Sequence, residues 1–168
     1  ALFHSQIKAA ANFCTIHGFA LQCIKYYCRI RKRPEPTILT ESAAVNGKNV
    51  GSQSRLGMLA QIHNELVGEK IGEDALEALS AYISYAKNTL TDAELRSGNT
   101  DGGSKNFDLV FNAYEQLKKS RHMIDFDDML TVCRRILQMD EGIRSDIQGK
   151  YDYIQVDEAQ DSSFVQNE

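Results

Sequence analysis

Several features are missing from this 168-residue sequence, and each absence excludes a class of protein. There is no excess of basic residues, since 19 Lys and Arg stand against 23 Asp and Glu for a net charge of −4. A chain of that balance has no general phosphate-attracting surface, so any nucleic-acid contact must be local. No apolar run approaches the ~18 residues of a membrane span, and the opening Ala1-Leu2-Phe3-His4 is neither a signal peptide nor an initiator sequence. The missing initiator Met leads us to expect a piece of something longer. Cys14, Cys23, Cys28 and Cys133 form no Cys-x-x-Cys pair and have no His partner at ligand spacing, which predicts reduced, cytoplasmic thiols acting as small hydrophobes. No Gly-x-x-x-x-Gly-Lys-Ser/Thr string occurs, so the glycines between Asn46 and Ser52 predict a loop or short hairpin and not a phosphate cradle.

What is present is mostly helical periodicity. An apolar content of 42% supports one substantial core. A short Ala-rich helix is expected over residues 6–12, then a brief strand at Phe13-Cys14-Thr15-Ile16. Phe19, Ala20, Cys23, Ile24 and Tyr27 recur at three- and four-residue steps and mark a helix stopped by Pro34 and Pro36. Its end carries Lys25, Arg29, Arg31, Lys32 and Arg33 beside Tyr26 and Tyr27. These cations complement the helix dipole in solvent; the alternative is a stripe facing phosphates, with a tyrosine free to stack.

Leu56, Met58, Leu59, Ile62 and Leu66 mark a second helix, with His63 as an ordinary surface residue, and Ala75 to Ala86 a third beginning near Glu73-Asp74. Thr91 reads as the cap of a further helix and residues 98–104 as a flexible loop. From Asn106 a long helix buries Phe107, Val110, Phe111, Tyr114 and Leu117, and its end, Lys118, Lys119 and Arg121, reads as a solvated terminus. Asp125 then caps a helix whose buried stripe is Phe126, Met129, Leu130, Cys133, Ile136 and Leu137, and a short helix follows around Ile143 to Ile147. Asp125, Asp127 and Asp128 are assigned structural work at that helix start, where acidic groups satisfy free amides and the dipole.

The most chemically pointed stretch lies near the end. Tyr151-Asp152-Tyr153-Ile154-Gln155-Val156 reads as a buried strand, and Asp157-Glu158-Ala159-Gln160-Asp161 sets three carboxylates and an amide within five residues. In parallel α/β sheets ligands sit beyond strand carboxyl ends, so Asp157 and Glu158 would emerge where a nucleotide and its metal are met. One carboxylate can hold Mg²⁺ through water while its neighbour polarises an attacking water.

Val156-Asp157-Glu158-Ala159-Gln160-Asp161, with Gln166 beyond, resembles the second helicase motif of superfamily 1 enzymes of the UvrD/Rep/PcrA type, a Walker B element. Ile83-Ser84-Tyr85-Ala86-Lys87-Asn88 resembles the Ile-Ser-x-Ala-Lys-Asn segment of their inserted helical subdomain. Asp125-Phe126-Asp127-Asp128-Met129-Leu130 is similar to their Asp-Phe-Asp-Asp-Leu-Leu signature, and Thr15-Ile16-His17-Gly18 to their Thr-Phe-His-Ser motif, departing at Ile16 and Gly18. The four matches occur in family order across nearly the whole chain.

The resemblance implies a mainly α fold: a helical bundle, the inserted subdomain over residues 34–124, attached to a partial P-loop-type α/β motor domain with few short strands. Residues 1–33 would supply a βα unit of that motor and 125–168 the return to it with the Walker B strand. It implies an ATP-dependent DNA helicase or translocase of the cytoplasm that binds single-stranded and duplex DNA and works with the remaining motor domains of a parent chain. Asp157 would hold the Mg²⁺ of MgATP through water, Glu158 would act on the hydrolytic water, and Gln160 and Gln166 would couple the site to neighbouring elements. Thr15 and His17 would touch single-stranded DNA. With no phosphate loop and no arginine-finger motifs, these 168 residues alone are expected to be inactive. Three other readings stand beside this one. They are the helicase part of a helicase-nuclease, a non-catalytic helical interaction module with a structural acidic strand end, and a metal-dependent phosphatase or nuclease using Asp125, Asp127, Asp128, Asp157 and Asp161.

Overall fold

The computed structural model describes residues 12–40, 54–89, 105–163 and 166. Over these the chain runs α1 (Ile16–Ile30), β1 (Thr37–Ile38), α2 (Arg55–Val67), α3 (Glu73–Thr89), α4 (Lys105–Ser120), β2 (Met123–Ile124), α5 (Phe126–Met139) and α6 (Glu141–Gln148), closing on a 3₁₀ turn at Ala159–Asp161. The expected helix over 6–12, the glycine loop at Asn46–Ser52, the cap at Thr91 and the loop over 98–104 lie outside the described residues, except Asn12, which is not helical.

Helix starts follow side-chain chemistry. The Thr15 hydroxyl accepts from the Gly18 amide at 3.0 Å and opens α1, and Ser54 does the same for α2 through Gly57 at 3.1 Å. Asp125 opens α5 with a reciprocal box: its carboxylate accepts from the Asp128 amide while Asp128 accepts from the Asp125 amide, both at 2.9 Å. Asp140 serves twice, closing α5 with its amide on the Ile136 carbonyl and opening α6 by accepting from the Ile143 amide. α2 stops at Gly68, whose φ of 79° is left-handed and favours glycine.

Two expected strands do not form. Residues 12–15 are not part of any sheet; Phe13 is 93% exposed, and Thr15 is committed to the α1 cap. Residues 151–156 are likewise unpaired, with Tyr153 95% exposed. The reason is common to both: a strand is held by neighbours, and among the described residues the one sheet is β1 beside β2, elsewhere in the molecule. That sheet was itself unexpected. Its two residues per strand pair in parallel, Thr37 with Met123 and Ile38 with Ile124. Strands so short carry no periodicity to read.

The buried side chains divide into two clusters. α1, β2, α5 and α6 enclose Cys23, Ile24, Ile124, Met129, Leu130, Cys133 and Ile143. Leu39, α2, α3 and α4 enclose Met58, Leu59, Leu79, Ile83, Val110 and Tyr114. The chain passes from the first cluster to the second through Pro34–Thr40 and returns through 121–124, and the parallel β1–β2 pairing stitches these crossings together. His122, at φ 54°, adds a ring-nitrogen hydrogen bond with the Pro34 carbonyl at 3.0 Å. The predicted stripe of α5 holds, with one correction: Phe126 is 43% exposed and leaves the core, its ring lying instead against His17.

Candidate functional site

Three of the four sequence motifs converge on the first turn of α5. His17 lies 5.2 Å, centroid to centroid, from Phe126, and Phe19 lies 6.1 Å edge-on from Tyr151, where the acidic string's run begins. The first turns of α1 therefore touch the start of α5 and the segment that leads to the acidic motif, not the motif itself.

The densest chemistry joins the Ala-Lys-Asn segment of α3 to the aspartates of α5. Arg55, 1% exposed at the start of α2, donates to Asp127 at 2.7 Å, to the Ser80 carbonyl and to Ser84. Ser84 and Asn88 also donate to Asp127, each at 2.8 Å. Beside it, Lys87 reaches Asp128 at 2.6 Å, Glu115 at 2.7 Å and Asp125 at 3.0 Å. Lys118 reaches Asp128 at 2.5 Å, Glu115 at 2.8 Å and Asp125 at 2.9 Å, and the Tyr114 hydroxyl donates to Asp125 at 2.9 Å. Lys118 is thus a correction, for it is 2% exposed and no solvated terminus; its neighbours Lys119 and Arg121 are exposed as expected. Periodicity could not place it, because burial of a lysine depends on carboxylates arriving from a distant helix.

Burial works against every charge in this cluster, and the partners decide the outcome. For Asp125, burial pushes the carboxyl up, but Lys87 and Lys118 outweigh it and hold it well below the usual range. Asp127 is likewise held low, its burial overcome by hydrogen bonds from Ser84 and Arg55. Asp128 moves the other way: burial and the adjacent Asp125 outweigh Lys87 and raise it. Lys87 stays protonated despite burial because Asp125, Asp128 and Glu115 surround it. Glu115, Asp125 and Asp128 bring carboxylate oxygens within 4.8 Å of one another, a spacing a cation could use. Two ammonium groups already meet those oxygens, so the cluster is an ion-paired lock. Asp157 belongs to no such group among the described residues.

The acidic tip is built locally. Asp157 accepts from the Glu158 amide at 3.1 Å, and Gln160 donates to the Glu158 carboxylate. Glu158 takes a left-handed backbone, φ 51° and ψ 43°, which costs a non-glycine residue about 1 kcal/mol. All three side chains are exposed. Gln166 accepts from the Ser163 amide at 2.8 Å. No hydrogen bond or ring contact links Asp157, Glu158 or Gln160 to Thr15 or His17 among the described residues; the two expected sites are brought onto one half of the molecule but not into contact.

Two of the five cations at the end of α1, Arg29 and Arg31, are engaged. Arg31 holds Asp140 with two bonds of 2.7 and 2.8 Å, while Arg29 and Lys150 lie over the Tyr26 ring at 5.3 and 3.7 Å. Tyr26, its hydroxyl on Asp146, is therefore no free stacking platform.

The fold is mainly helical, and the chain belongs to the family described as the UvrD/REP helicase N-terminal domain, which it matches over residues 2–168. It is 32% identical over 94 residues to the ATP-dependent DNA helicase Rep of Salmonella typhimurium, covering 55% of this chain and 14% of that protein. It is 30% identical over 105 residues to YjcD of Bacillus subtilis, named as a candidate ATP-dependent DNA helicase, covering 62% of this chain and 13% of that protein. Among the described residues no helix is long and apolar enough to cross a membrane.

Proposed function

We propose that the protein carrying this chain is an ATP-driven DNA helicase of superfamily 1 that binds single-stranded DNA and couples MgATP hydrolysis to duplex unwinding. The supporting observation is the acidic tip, Asp157 and Glu158 side by side in an exposed bend, in a chain that matches a helicase domain from residue 2 to residue 168. The division into a motor part (1–33 and 125–168) and an inserted helical subdomain (34–124) is supported by the two separate cores.

The exposed carboxylates fit a hard divalent cation, since Asp157 commits one oxygen to a backbone amide and keeps another for a metal-bound water. Mg²⁺, when bound with ATP, neutralises phosphate charge. Glu158, whose carboxylate accepts from Gln160, orients and polarises the attacking water in this reading. Thr15 keeps its hydroxyl proton for a phosphate oxygen while its oxygen caps α1, and His17 is held on Phe126 beside it. Phosphate-binding donors are not among these residues, so ATP turnover needs groups from the rest of the protein. In the intact protein Glu158→Gln lowers DNA-stimulated ATP hydrolysis by roughly 100-fold or more while nucleotide binding persists. Turnover within about threefold of the parent rate would remove Glu158 from the mechanism.

A further inference from the structure

A cleft of about 710 Å³ opens at the seam between the two cores. Its walls are mainly apolar: Ile24 and Tyr27 of α1, Phe111 of α4, Met123 of β2 and Ile136 of α5. That volume is typical of a site that takes a compact organic group. Cations dominate its polar lining. Arg33, Lys119 and Arg135 are exposed at the cleft and form no ion pair among the described residues, and His122 stands beside them. The lining acids, Glu115 and Asp128, are already met by Lys87 and Lys118. In a chain of net charge −4 this is a local excess of positive charge over an apolar floor, tempered by Glu35, whose charge reaches the lining Cys28 as that of Arg33 does.

We propose that this cleft docks an acidic peptide segment of a partner protein, an aromatic or aliphatic side chain entering the floor while flanking carboxylates meet Arg33, Lys119 and Arg135. Charge complementarity selects an anion, and the apolar walls require one with a hydrophobic anchor. One feature favours peptide over nucleic acid: the lining aromatics are half-buried walls and not exposed platforms on which successive bases stack.

The test uses the intact protein and a fluorescent eight-residue peptide with one Phe flanked by Asp and Glu. It binds with a dissociation constant on the order of 10 μM. Arg135→Glu with Lys119→Glu weakens it at least about tenfold, and so does replacing the peptide's Phe by Ser, whereas Lys25→Glu, on an exposed part of α1 outside the cleft, leaves it unchanged. Absence of saturation by about 1 mM overturns the proposal. So does equal weakening by Lys25→Glu, which marks binding as diffuse charge attraction, or indifference to loss of the Phe. Displacement by oligo-dT with the same dependence on Arg135 and Lys119 assigns the cleft to nucleic acid instead.

Discussion

Arg55 and Asp127 come from helices 72 residues apart and meet at 2.7 Å with almost no solvent. Removing one member of such a pair leaves a buried charge without its partner, so Arg55→Met is expected to lower stability by about 3–5 kcal/mol. Asp127→Asn takes away the charge that makes the loss costly, and Arg55→Met in that background costs about 1–3 kcal/mol less. Urea denaturation of the four proteins measures this, and additivity within about 0.5 kcal/mol would show that the pair is not coupled.

The same residues set the response to acid. Asp125 and Asp127 have folded-state affinities for protons below their unfolded ones, so the stability they contribute is complete above the ordinary Asp pKa of about 4 and is lost as pH falls. Asp128, raised, contributes in the opposite sense: its share is complete below that pH and fades above it. Two lowered groups against one raised give a net fall in stability below about pH 4. Urea midpoints that stay level or rise between pH 4 and pH 2.5 would contradict this balance.

At the scale of elements, helices were legible because their causes are local. The apolar steps of α2, the acidic start of α3 and the capping aspartate of α5 all lie within a turn or two of what they control. The contacts at 157–160 are of the same local kind, Asp157 with the Glu158 amide and Gln160 with the Glu158 carboxylate. What could not be read was whatever depends on a distant partner. The expected strands at 13–16 and 151–156 lack neighbours, and β1 and β2 owe their existence to one another. Lys118 resembles any lysine at a helix end until α5 brings Asp125 and Asp128 to it. The aspartates of α5 were read as caps, which Asp125 and Asp128 are, but their second use as counter-ions for α2, α3 and α4 has no signature in their own surroundings.

At the scale of the whole molecule, two apolar clusters are joined by the charged lock and by a sheet two residues long. Such a sheet contributes few ladder bonds, so cooperativity between the halves rests mainly on the Arg55–Asp127 pair and on Lys87, Lys118 and the carboxylates between them. Lys118→Met is expected to expose this. The substitution keeps much of the side-chain volume but leaves Glu115, Asp125 and Asp128 facing one another with only Lys87 between them, and the repulsion lies on the seam and not inside either core. Stability falls by about 3–5 kcal/mol, a large part of the 5–15 kcal/mol typical of a domain. Native-state hydrogen exchange then separates the halves, with amides of α2 and α4 exchanging through openings that leave α1 and α5 protected. In the unsubstituted chain the slowest amides of both cores exchange with one common free energy. If Lys118→Met lowers protection equally in both halves, the seam is no point of separation and the two clusters fold as one unit.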